Sequence, residues 1–89
     1  MIKKQDVANK LIDYLYYRVS LTELVHWAEQ AMMEEEFDEL DLPLLREIIA
    51  RLGLSDTMAF GLSLEHCRKY LNSLGYDVEI NVKKAASNQ

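Results

Sequence analysis

One cysteine, one proline, three glycines and one tryptophan in 89 residues exclude several kinds of protein. A lone Cys67 rules out an internal disulfide and fits a reducing compartment. The glycines, Gly53, Gly61 and Gly75, stand far apart as stops and bends, so no glycine-rich loop is available to cradle a phosphate. No apolar run approaches the ~20 residues that span a bilayer. The opening MIKKQDVANK carries no apolar signal core, because Asp6, Asn9 and Lys10 interrupt it. Together these absences lead us to expect a cytoplasmic chain with no membrane partner.

Basic residues are also short: ten Lys and Arg stand against fifteen Asp and Glu, for a net charge of −5. The unevenness matters more than the total. Eight of the acids lie between Glu29 and Glu47, where Arg46 is the only base. Such a surface repels a phosphate backbone, which argues against nucleic acid as a partner. It favours encounter with a basic protein.

What is present is ordinary globular material, 49% hydrophobic and 28% charged. The length suits one domain, expected over residues 1–82, with 83–89 (KKAASNQ) as a flexible C-terminal tail. From Gln5 to Val19, apolar Val7, Ala8, Leu11, Ile12, Leu15 and Val19 recur at three- and four-residue spacing, one face of a helix. Ser20 followed by Glu23 is a capping box that opens a second helix, with Leu21, Leu24, Val25, Ala28, Ala31 and Met32 inward. The short break between them implies an antiparallel pair. Asp41 is the expected N-cap of a third helix, with Pro43 in its first turn, Leu45, Ile48, Ile49 and Leu52 inward, and Gly53 as a left-handed stop.

Ser63 is the cap expected for a fourth helix, with Leu64, Cys67, Leu71 and Leu74 inward and Gly75 as terminator. The period then changes. Tyr76, Val78, Ile80 and Val82 alternate with Asp77, Glu79 and Asn81, the pattern of a half-buried strand. A strand needs a partner, and within the chain the candidate is TMAFGLS, 57–63, which reads equally as a loop. The expected fold is thus mainly α (α+β at most): four short helices in a compact bundle with a minor C-terminal two-strand element.

Residues that could carry chemistry are few. Glu23 and Glu29 flank His26 at three-residue spacing, which is half of a carboxylate-bridged metal site, but no second half follows. His66 and Cys67 are neighbours, and successive helical side chains diverge by about 100°, so they do not make a thiol and its base. Carboxylates need apolar walls to work as acids or bases, and the acid-rich segment lies where water should reach it. We therefore expect no enzyme, no metal and no cofactor.

That leaves EEEFDELD, residues 34–41, with six carboxylates in eight positions and no base. Its bland reading is a solvated turn between helices. Against this, negative charge at the end of a helix opposes the macrodipole, and folding does not call for six such residues. Phe37 and Leu40 either plug the core or stand out as anchors within a charged rim. Glu34, Glu35, Glu36, Phe37, Asp38, Glu39, Leu40 and Asp41 are accordingly the candidate partner-binding residues.

The stretch LIDYLYYRVSLTELVHWAE resembles the opening of small bacterial immunity proteins of the colicin D type, in the step Val19–Ser20 and the pair Glu23–Leu24. The remainder, LGLSDTMAFGLSLEHCRKYLNSLGYDVEI, resembles other small bacterial proteins without pointing to an activity. The first resemblance implies a non-catalytic inhibitor whose acidic face occupies the basic active site of a toxin nuclease. The expected function is a non-catalytic bacterial binding protein that holds a basic protein partner, in immunity or antitoxin form. The alternatives are a homodimer pairing through the strand from Tyr76 to Val82, and a metal-dependent enzyme around Glu23, His26 and Glu29.

Overall fold

The computed structural model describes residues 1–34, 36–57 and 61–85. Helix α1 spans Lys4–Leu15, α2 Leu21–Glu34, α3 Leu42–Leu52 and α4 Leu64–Ser73, with a single 3-10 turn at Glu39–Asp41 before α3. The fold is mainly α, as expected.

Helices α1, α2 and α4 begin on local hydrogen bonds between a cap residue and the first turn. At α1 the Lys3 amide donates to the Asp6 carboxylate at 2.8 Å. At α2 the capping box forms as the sequence implies: the Ser20 amide donates to Glu23 Oε1 at 2.9 Å and the Glu23 amide to Ser20 Oγ at 3.1 Å. Ser63 caps α4 by accepting from the His66 amide at 3.1 Å, and its own amide donates to His66 Nδ1 at 3.3 Å. His66 thus fills the place that Glu or Gln takes in the usual box.

The helix ends show two turns of one kind. After α4, the Tyr76 amide donates to the Leu71 carbonyl and the Gly75 amide to the Asn72 carbonyl, a Schellman turn with Gly75 at φ +97°. After α1 the same pair of bonds joins Arg18 to Asp13 and Tyr17 to Tyr14, but the left-handed position is held by Tyr17 at φ +63°. This turn stops α1 at Leu15, four residues short of the apolar periodicity. The chain has to reverse there for Ser20 to open α2.

Gly53 corrects an expectation. It lies at φ −64°, ψ −17°, right-handed, and does not act as a left-handed stop. The chain leaves α3 by tightening instead: the amides of Leu54, Ser55 and Thr57 donate three residues back, and the Ser55 hydroxyl donates to the Arg51 carbonyl at 3.0 Å. Asp41 precedes α3 in the N-cap position, yet its carboxylate makes no capping bond.

The core joins Val7, Ala8 and Leu11 of α1, Leu24, Ala28 and Ala31 of α2, Leu45, Ile48, Ile49 and Leu52 of α3, and Cys67 and Leu71 of α4. Each fully buried Leu or Ile contributes about 1.5–3 kcal/mol of apolar transfer, so α3, with four of them, anchors the bundle. It packs chiefly on α2, and α1 touches the other three helices. The N-terminal Ile2 lies beside Phe37, just beyond the end of α2, so α1 and α2 run antiparallel. Two residues expected inward are not: Met32 and Leu64 are exposed. Phe37 packs against the core at Met32's end of α2, and Leu64 is the first residue of its helix.

The C-terminal two-strand element is a second correction. Residues 76–85 carry no regular secondary structure, and of the alternating set Val78 packs against the core while Ile80 and Val82 are exposed. A strand is defined by its ladder, and these backbone groups have none among the described residues. Of the candidate partner at 57–63, residues 58–60 lie outside the described residues.

Candidate functional site

The acidic segment is held to the body through the N-terminus. The Ile2 amide donates to the Glu36 carbonyl at 2.6 Å, and the Asp38 amide donates to the Ile2 carbonyl at 2.9 Å. This is one rung of a parallel bridge between Ile2 and Phe37. It turns Phe37 inward onto the core, where the ring packs half-buried. Phe37 is a plug.

Three residues on, Leu40 points the other way, with 89% of its surface exposed. Asp38 Oδ1 accepts from the Leu40 amide at 3.2 Å, which fixes the 3-10 turn that carries Leu40 outward. Asp41 is half-buried, and its carboxylate lies 3.9 Å from Lys4 Nζ. At that distance, with both groups partly in water, the pair adds little to stability.

The eight candidates therefore divide by task. Phe37 and Asp38 serve the fold, and Asp41 stands half-buried near Lys4 without a capping bond. Glu36, Glu39 and Leu40 are exposed, Glu34 is the last residue of α2, and Glu35 lies outside the described residues. The helix dipoles act differently on the two halves of the segment. Glu34 and Glu36 follow the negative end of α2, whose last turn has no base. Glu39 and Asp41 precede α3, where negative charge is favoured.

Around Leu40 the structure adds residues that the sequence reading missed. Met1 and Met32 are exposed and line the same groove as Leu40, and Met33, next in the chain, is 83% exposed. An open groove of about 630 Å³ runs between Met1, Met32, Glu36, Leu40 and Arg46. Methionine is flexible and polarisable, so such a surface adapts to the apolar residues of a partner. The sequence signal was the pair Met32–Met33 directly before the acids, of which helical periodicity assigned Met32 to the core.

The other candidate chemistry is engaged elsewhere. The Glu23 carboxylate accepts the Ser20 amide, and the bonds from the Ser20 backbone and side chain hold it below the usual glutamate range. His26 and Glu29 are exposed on α2. Among the described residues no group of three or more His, Cys, Asp and Glu is placed to hold a metal ion. Cys67 is fully buried, and burial pushes its thiol up to about 11. Among the described residues no helix is long and apolar enough to cross a membrane.

No protein-family model matches the chain, and no curated protein or solved structure matches it.

Proposed function

We propose that this chain is a non-catalytic binding protein that holds a basic segment of a protein partner at the junction of α2 and α3. The observation that carries the reading is Leu40, exposed on the braced turn Glu39–Asp41 near the exposed Glu36 and Glu39, where it lines an open groove with Met1 and Met32. An apolar side chain fixed outward by hydrogen bonds costs the fold hydration and returns nothing to it. A partner that covers it recovers that term. The surrounding carboxylates select a partner rich in Lys and Arg, speeding its encounter and repelling acidic competitors. Immunity or antitoxin action against a basic toxin is the specific form of this activity, in keeping with the resemblance of the first two helices.

The test compares wild type with the triple variant Glu36→Gln, Glu39→Gln, Leu40→Ser as bait for basic proteins of the native host, followed by association kinetics at several salt concentrations. We expect the bound protein to associate quickly at low salt, more slowly as salt rises, and at least tenfold more weakly with the variant. A partner that binds both forms at the same rates would leave this surface without a role.

A further inference from the structure

Residues 76–82 alternate apolar and polar in strand fashion, yet they form no ladder among the described residues, and of the set Val78 packs against the core. Past the Tyr76 amide, no backbone group of residues 77–85 hydrogen-bonds to another described residue. Ile80 is 60% exposed and Val82 88%. The sequence of this arm suits it to pairing, and no partner for it lies among the described residues.

We propose that the partner is the same arm of a second copy, paired antiparallel about a two-fold axis at Ile80. The sequence is self-complementary about that residue. Val78 lies opposite the partner's Val82, Glu79 opposite the partner's Asn81, Asp77 opposite the partner's Lys83, and Tyr76 opposite the partner's Lys84. Symmetry doubles each pair, giving two cross-strand ion pairs and an apolar face from Val78 to Val82, flanked at each end by a Tyr76–Lys84 pair.

Neighbouring registers do worse. Centring on Glu79 sets that carboxylate against its own copy. Centring on Asn81 keeps two ion pairs, Glu79 opposite Lys83, and sets Ile80 opposite Val82, but it places Val78 against Lys84, loses the Ile80–Ile80 contact and leaves Asp77 opposite Ala85. A one-residue slip would set apolar residues opposite polar ones, while these two-residue slips keep the apolar face and differ in which charges meet.

A two-stranded ribbon alone is marginal in water and needs a surface to cover. One lies beside the arm: a groove of about 700 Å³, with Ile12, Leu15, Tyr16 and Tyr17 at the end of α1 and Leu71 on α4. Tyr17 is 95% exposed there and Tyr16 is exposed next to it. This groove is at the end of α1 remote from Ile2 and Phe37, so dimerisation leaves the acidic site open. The two proposals can fail separately.

The experiment is the mass of the native chain by sedimentation equilibrium up to about 1 mM, the range of weak association. We expect twice the chain mass at the upper end. Asp77→Lys alone and Lys83→Asp alone each place like charges opposite one another and should weaken dimerisation about tenfold or more. Mixing these two variants, or combining the changes in one chain, restores complementary pairs and should restore the dimer. Both residues are exposed, so the melting temperatures should match wild type. A chain monomeric throughout would overturn the proposal. A dimer indifferent to the charge swaps would overturn the register on which it rests.

Discussion

Ile2 and Phe37 form a single parallel bridge, and that contact decides which way the acidic segment faces. With the Ile2 amide on the Glu36 carbonyl and the Asp38 amide on the Ile2 carbonyl, the residue between them has one direction open to a large ring, and it is inward. Leu40, one 3-10 turn later, is left outside.

Phe37 and Leu40 should therefore respond oppositely to truncation. Phe37→Ala should cost about 2–3 kcal/mol, below the full range for a buried aromatic because the ring is only half-buried. Leu40→Ala should change stability by less than about 0.5 kcal/mol, as expected at an exposed site. Urea unfolding of both variants checks the pair. Equal losses would mean that Leu40 packs on the body.

The start of α2 links a mutation to pH. Ser20→Ala should cost about 1 kcal/mol through loss of the cap. The Glu23 carboxyl titrates below its ordinary range because Ser20 hydrogen-bonds the charged form. A depressed folded-state value means that this contribution is present above the unfolded glutamate value and is lost as pH falls through the folded one. In an NMR titration, Glu23 of the Ser20→Ala variant should move up only part of the way, because the backbone amide at position 20 still donates to it, and the gap in stability between the two proteins should narrow in acid.

Tyr17 holds a left-handed conformation in which its Cβ crowds the backbone, at a cost of about 1 kcal/mol. It is almost wholly exposed, so little packing is lost on truncation. Tyr17→Gly should therefore leave stability unchanged or raise it by up to about 1 kcal/mol, the relief of strain outweighing the extra entropy of the unfolded chain. Tyr17→Val, β-branched at the same φ, should lower it. A thermal melt with both variants decides the sign.

Cys67 should react with a thiol reagent only through opening of the fold. It is buried against the core, and its thiol sits near 11, so almost no thiolate is present at neutral pH. Labelling of the native chain should be slow and should accelerate with denaturant in step with unfolding. Fast, complete labelling in buffer would place Cys67 outside the core.

The local code was legible in the sequence because its physics is local. Ser20 with Glu23, Ser63 before Leu64, the Leu45–Leu52 stripe and Gly75 each act within one or two turns of backbone, where hydrogen bonding and 3.6-residue periodicity suffice. The exceptions are just as instructive. The apolar pattern ran through Tyr17, but the chain had to reverse there, and a Schellman turn took a tyrosine at positive φ. Gly53 had the residue type of a left-handed stop, but the Ser55 hydroxyl and a run of tightened turns finished α3 without one.

Only the tertiary structure decided the acidic site. Spacing alone could not separate Phe37 from Leu40, since both are apolar residues among carboxylates, and a contact with Ile2, 35 positions away in sequence, sorts them. The same contact accompanies the exposure of Met32 that periodicity had assigned to the core. Alternation likewise wrote a strand at 76–82, but a ladder needs backbone groups from elsewhere, and no residue within the segment can supply them. Local pattern determines which structure a segment is able to form, whereas burial and pairing depend on what the rest of the chain brings beside it.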